Sequence, residues 1–165
     1  MLLSDKMWKA LNEQVKWELE SSYMYLGMAA YLNDCSLPGF AQWMREQAKE
    51  EVEHAMRIYN YIEERGNRVE LLPIAAPAKE WADVHEVFQK SFEHEQFVTG
   101  LINNLVDIAV AEKDHATSVF LNWFVTEQVE EEDTFRAVLD KLSFVKPGCS
   151  ALLFLDKQMG KREEA

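Results

Sequence analysis

Four stretches of this chain repeat buried-type residues at alternating three- and four-residue spacing, each for seven or eight helical positions. Few folds can use that many long amphipathic helices in one short sequence. The first stripe reads Trp8, Leu11, Val15, Glu18, Ser22, Tyr25, Ala29 and Leu32; the second Phe40, Met44, Gln47, Glu51, His54, Ile58 and Tyr61. The third is Val84, Phe88, Ser91, Glu95, Val98, Ile102, Leu105 and Ala109. The fourth is Thr117, Leu121, Phe124, Gln128, Glu131, Phe135, Val138 and Leu142. The spacing predicts helices over about 4–32, 40–65, 84–111 and 114–142, and a shorter apolar segment predicts a fifth over 150–159. Ser4, Asp83 (with Glu86 completing a capping box) and Asp114 are the expected N-caps. Gly66 is the expected residue just past the second helix, and Pro147-Gly148 ends the fourth. Lys161 to Ala165 reads as a solvated tail.

Loop lengths then select the topology. The turn over 33–39 and the short break before Asp114 make the first and second helices, and the third and fourth, antiparallel neighbours. A helix of about 28 residues is about 42 Å long. The stretch 67–82, with Pro73 and Pro77, has no helical period. Extended, it reaches about 50 Å, enough to run the length of the bundle. The expected fold is all-α: one domain over 1–165, an antiparallel four-helix bundle with one long crossover and a short fifth C-terminal helix.

Each stripe is apolar at both ends and acidic near its middle, at Glu18, Glu51 with His54, Glu95 and Glu131. Midpoints of packed helices of similar length coincide whatever their direction, so these side chains should meet in one layer. Four carboxylates buried without cations would repel and lose hydration, at several kcal/mol per ion. No Lys or Arg lies on the four stripes. Two divalent cations balance the four charges, and with one imidazole nitrogen among oxygen donors the set favours paired iron or manganese over zinc. Glu51 and His54, three apart, share one helix face, the Glu-x-x-His arrangement by which bundles present ligands inward. The fourth helix offers Gln128-Val129-Glu130-Glu131 instead, without a second imidazole. Two unequal positions of that kind suit ions that arrive, react and leave.

Composition removes other classes. A net charge of −12 and only 17 basic residues argue against a nucleic-acid partner. No apolar run approaches the roughly 20 residues that span a bilayer, and Asp5, Lys6 and Lys9 interrupt the start as no signal peptide would. Cys35 and Cys149 lie far apart in no Cys-x-x-Cys spacing, which fits free thiols in a reducing cytoplasm. His85, His94 and His115 lie off the stripes and are expected in surface or structural roles.

At these residues the chain closely resembles the bacterial and archaeal non-haem ferritins. The likeness covers nearly the whole sequence: Leu11-Asn12-Glu13-Gln14, Glu18-Leu19 with Ser21-Ser22, Gly39-Phe40 with Trp43-Met44, Glu50-Glu51 with His54-Ala55, and His94-Glu95. It continues through Phe120-Leu121 with Trp123, Glu127-Gln128 with Glu130-Glu131-Glu132, and Leu155-Asp156-Lys157. The resemblance implies a ferritin-like bundle assembling as a homo-oligomeric cage of 24 chains, which oxidises Fe(II) with O2 and stores a ferric mineral. It implies that Glu18, Glu51 and His54 hold one ferroxidase iron, with Glu51 bridging to a second held by Glu95 and Glu131. Gln128 would sit beside that second ion, and Glu50, Glu127 and Glu130, sharing Glu131, would form a third iron position. Tyr25 matches a family tyrosine beside the site and Trp123 a nearby aromatic, both expected electron donors.

The same comparison disfavours relatives. Val52 stands where haem-binding bacterioferritins carry their ligand methionine, so no haem is expected. A rubrerythrin-like peroxidase would need a Cys-x-x-Cys iron domain, and a DNA-protecting mini-ferritin would place its ligands between subunits. The rival reading is a non-catalytic subunit that only nucleates mineral.

Overall fold

The computed structural model describes residues 2–146 and 148–162, and among them every regular element is helical. The helices are α1 (Asp5–Asp34), α2 (Pro38–Glu64), α3 (Val84–Ala111), α4 (His115–Ser143) and α5 (Ser150–Met159). The three expected caps form. Ser4 Oγ accepts from the Met7 amide at 3.0 Å, Asp83 Oδ1 from Glu86 at 3.0 Å, and Asp114 Oδ1 from Thr117 at 3.1 Å. Gly66 takes a φ of +77° past the end of α2, the left-handed conformation that closes a helix. Two boundaries move by two residues: α1 runs on to Asp34, and α2 begins at Pro38, because a proline at the first helical position gives up an amide that has no partner there anyway. The expected stop at Pro147 and the tail from Glu163 onward lie outside the described residues.

All but one of the stripe residues are buried; Trp8 is the exception. Met7 takes the core position, and Trp8 stands at the edge, its indole donating to the Arg68 carbonyl at 2.7 Å. The apolar positions form two separate clusters. One gathers Tyr25 to Leu32 of α1, Phe40 to Ala48 of α2, Val84 to Phe88 of α3 and Phe135 to Leu142 of α4. The other gathers Leu3 to Val15, Ile58 to Ile62, Val98 to Ala109 and Leu121 with Phe124. α1 and α4 therefore run from the second cluster to the first, and α2 and α3 the opposite way. Between the clusters lie the buried Glu18, Gln47, Glu51, His54, Glu95, Gln128 and Glu131, supplied by all four long helices. Each fully buried Leu, Ile or Phe contributes about 1.5–3 kcal/mol, so two apolar clusters hold one polar layer in place.

A structureless connection of this length is uncommon inside a compact protein. Here it is stitched along α1. Beyond the Trp8–Arg68 bond, Glu70 donates its amide to Asn12 Oδ1 at 2.8 Å, Ala75 to Glu20 Oε2 at 3.2 Å, and the Tyr31 hydroxyl to the Trp81 carbonyl at 2.8 Å. Residues 68–81 thus travel beside residues 8–31, crossing from one end of the bundle to the other. Side chains of α1 supply the partners that a strand or helix would otherwise give.

α5 returns against the start of α2. Asp156 accepts the Phe40 amide at 2.9 Å, placing a carboxylate at a helix N-terminus, and Leu155 and Met159 enter the first cluster. Gly39 permits this approach: a Cβ there would lie 1.7 Å from the Asp156 carbonyl oxygen. The tail after α5 departs from the expectation of full solvation, because Arg162 folds back onto α2. No described helix is long and apolar enough to cross a membrane.

Candidate metal centre

Glu18, Glu51, His54, Glu95 and Glu131 all lie in the polar layer and are all buried. Their ligand atoms fall into overlapping sets, within each of which all lie closer than 4.8 Å. Glu18, Glu51 and His54 make one; Glu51, Glu95 and Glu131 make another. Glu51 belongs to both, so a single carboxylate stands between two places where an ion could sit. A third set joins His54, Glu127 and Glu131.

Separations inside the first set decide what it is built for. His54 Nδ1 stands 4.0 Å from Glu18 Oε2 and 3.5 Å from Glu51 Oε2. Both gaps exceed a hydrogen bond of about 2.7–3.2 Å. Two ligand atoms each about 2.0–2.2 Å from a shared ion stand up to about 4 Å apart, and these do. Glu18 Oε2 is also buried without any hydrogen-bond partner. An orphaned carboxylate oxygen is costly, and either a proton shared with Glu51 or coordination to a cation would satisfy it.

Protonation tells the same story. Burial, then the neighbouring Glu51, raises Glu18 to about 8. Burial and then Glu95 raise Glu131 to about 8, while burial raises Glu95 to about 7 against the donors Tyr25 and Gln128. Glu51 is pushed well above the usual carboxylate range by burial and by Glu95 and Glu131. The metal-free layer therefore keeps protons at neutral pH that a cation would displace.

Glutamines hold these carboxylates. Gln14 Nε2 donates to Glu18 Oε1 at 2.7 Å, and Gln47 Nε2 to Glu131 Oε2 at 2.7 Å and Glu51 Oε1 at 3.4 Å. Gln128 Nε2 donates to Glu95 Oε2 and Thr99 Oγ1, both at 3.3 Å, so its amide N–H is engaged beside the second set. The roles of Gln14 and Gln47 were not legible as function, although each stands four residues before a ligand-type glutamate, on the same helix face. The Tyr25 hydroxyl donates to Glu95 Oε1. Trp123 packs edge-on to His54 with ring centroids 5.4 Å apart.

The expected outer position divides. Glu127 Oε1 comes within 3.7 Å of His54 Nε2 and joins His54 and Glu131. Among the described residues no such set includes Glu50 or Glu130: Glu130 is exposed, and Glu50 pairs with Arg162. His94 is structural, its Nε2 2.7 Å from Ser21 Oγ, and burial lowers it to about 4, so the ring is neutral. His85 Nε2 likewise lies 2.6 Å from the Leu142 carbonyl, and His115 is exposed.

Comparison with known proteins agrees with the geometry. The Ferritin-like domain family matches residues 8–145. The bacterial non-haem ferritin of Staphylococcus haemolyticus is 42% identical over 161 residues, which is 98% of this chain and 97% of that protein. That of Bacteroides fragilis is 42% identical over 98% of this chain and all of its own. A solved structure described as an open pore ferritin, from the hyperthermophilic archaeon Archaeoglobus fulgidus, superposes with a TM-score of 0.96 and 44% identity, covering 98% of both chains. With an interior layer of carboxylates and an imidazole that could hold metal, and likeness along nearly its whole length, the chain belongs to the ferritin family, as an iron-storage ferritin.

Proposed function

We propose that this ferritin is itself a ferroxidase, with Fe(II) and O2 as substrates meeting inside the subunit. Glu18, Glu51 and His54 take one Fe(II), and Glu51, Glu95 and Glu131 take the other. The observation that carries this is Glu51, shared by both three-residue sets. A common bridging carboxylate would keep the two ions close enough to act on one O2, each giving one electron, so that two Fe(II), O2 and two protons yield two Fe(III) and hydrogen peroxide. The chain's own residues bind, orient and desolvate the pair. Gln14, Gln47 and Gln128 fix the carboxylates, and the two apolar clusters restrict water. Tyr25, hydrogen bonded to Glu95, and Trp123, beside His54, would supply further electrons, a reading their contacts support. Gln128 flanks the second ion without binding it strongly. Ferric product then passes by a third position around Glu127 and Glu131, with Glu50 and Glu130 as outer acids, on its way to the mineral.

The assembly belongs to the same reading. Likeness to ferritin subunits over nearly the full chain supports a homo-oligomeric shell. Twenty-four copies of a 19.2 kDa chain make a particle of about 460 kDa, a mass that native mass spectrometry reads directly. Its setting is the cytoplasm, with Cys35 and Cys149 both free.

Aerobic Fe(II) is added to metal-stripped protein, and ferric absorbance is followed, then electron-dense cores are sought by microscopy. Wild type should oxidise iron at least about tenfold faster than Glu18→Ala or His54→Ala, a barrier difference of about 1.4 kcal/mol or more. Unchanged rates in both variants would instead favour the mineral-nucleating scaffold.

A further inference from the structure

Beyond α5, residues 160–162 settle on α2. Met159 is buried and Gly160 packs against Gly39, so the chain leaves α5 directly over α2. Arg162 lands on Trp43, Gln47 and Glu50, which stand four and three residues apart on one face of that helix. Its guanidinium lies 4.5 Å over the Trp43 ring, one nitrogen donates to Gln47 Oε1 at 2.9 Å, and the other to Glu50 Oε2. Gln47 in turn donates to Glu131. A permanent positive charge is therefore placed one amide away from the paired-ion layer, on an acid expected to bind metal.

We infer that Arg162 is a built-in cation that competes with iron for Glu50 and thereby weakens the third position. The inference rests on the third-position reading above. Glu50 joins no metal-holding set among the described residues, and its carboxylate is paired with the guanidinium. Arginine cannot relieve the competition by losing its proton, so an ion that recruits Glu50 must displace a charge-assisted hydrogen bond. Exposure sets the strength of the competition. The two side chains are 21% and 23% exposed, so solvent screens the pair, and it yields to a divalent or trivalent ion rather than excluding it. The third position then holds iron briefly, which suits a station on a path and not a store.

Equilibrium dialysis of the assembled, metal-stripped protein against anaerobic Fe(II) tests this by counting ions, without turnover. Wild type should bind two ions per subunit tightly and a third weakly. Arg162→Gln should tighten the third about tenfold, and Arg162→Gln with Glu50→Gln should lose that gain, since the freed ligand is gone. Arg162→Lys keeps the charge and the alkyl stem and should stay within about threefold of wild type, while particle size and helical circular dichroism report folding. Equal third-ion affinity in wild type and Arg162→Gln overturns the inference, as does a gain that survives in the double variant. Wild type failing to bind even two ions overturns the paired-ion reading instead.

Discussion

Filling the paired positions should expel protons, and the number is set by the carboxyl groups. With Glu18 and Glu131 at about 8, each is about 97% protonated at pH 6.5, and Glu95, at about 7, is about 76% protonated. Two ions binding anaerobically should therefore release about 2.7 protons per subunit from these three groups, and Glu51, also held high, adds toward a fourth. At pH 8.5 the same groups are already mostly ionised, and their contribution falls to about 0.5. Calorimetric titration of metal-stripped protein with anaerobic Fe(II), repeated in buffers of different ionisation enthalpy, measures release directly. Excluding O2 keeps redox protons out of the count. A fall of about two protons between pH 6.5 and 8.5 is expected. Release below one proton at pH 6.5, or no fall across the range, would mean that these acids are ionised without metal and that burial does not govern them.

Stability should follow the same protons. The folded-state values of Glu18, Glu95 and Glu131 lie above the usual 4.5, so their contribution is fully present below about 4.5 and is lost as pH rises through about 7 to 8. Metal-free protein should therefore lose stability as pH rises, read as a falling thermal midpoint from pH 5.5 to 8.5, whereas metal-loaded protein should stay nearly level; a level metal-free curve refutes this. Tyr25→Phe removes the hydroxyl donor that lowers Glu95, so calorimetry at pH 8 should show release rising toward one additional proton, and unchanged release would deny that bond any influence. Gly39→Ala would drive a methyl group to 1.7 Å from the Asp156 carbonyl oxygen and should cost about 1–3 kcal/mol or more, seen as hydrogen exchange accelerated across α5; protection equal to wild type would show that α5 is not docked this way.

Long-period patterning was legible because burial in a bundle imposes it. Every stripe position except Trp8 is buried, and Glu18, Glu51, His54, Glu95 and Glu131 meet because helices of similar length share a midpoint. Trp8 is only partly buried for a local reason: its ring packs against the second cluster while its indole N–H reaches out to the crossover carbonyl of Arg68, which keeps it at the edge. The start of α2 moved for another, since Pro38 reads as a turn residue and equally as a first helical residue.

What periodicity could not carry was any pairing between segments distant in sequence. Gln47 bonds Glu131, and Arg162 reaches Glu50, and neither partner follows from spacing within one helix. The omission has a physical consequence for charge. Counting only the four stripes leaves the acids beside the paired positions without a protein cation, which makes metal the sole counter-charge for every acid nearby. Cations stand beside the outer group: Arg162 sits on Glu50 and Arg57 acts on Glu127, while no Lys or Arg is among the leading partners that shift Glu18, Glu51, Glu95 and Glu131. The inner layer thus depends on protons or metal for neutrality, and the outer one carries its own replaceable cation. On the proposed reading, tight inner and loose outer binding would follow from that difference, the order of affinities needed to draw iron in, oxidise it and let it go.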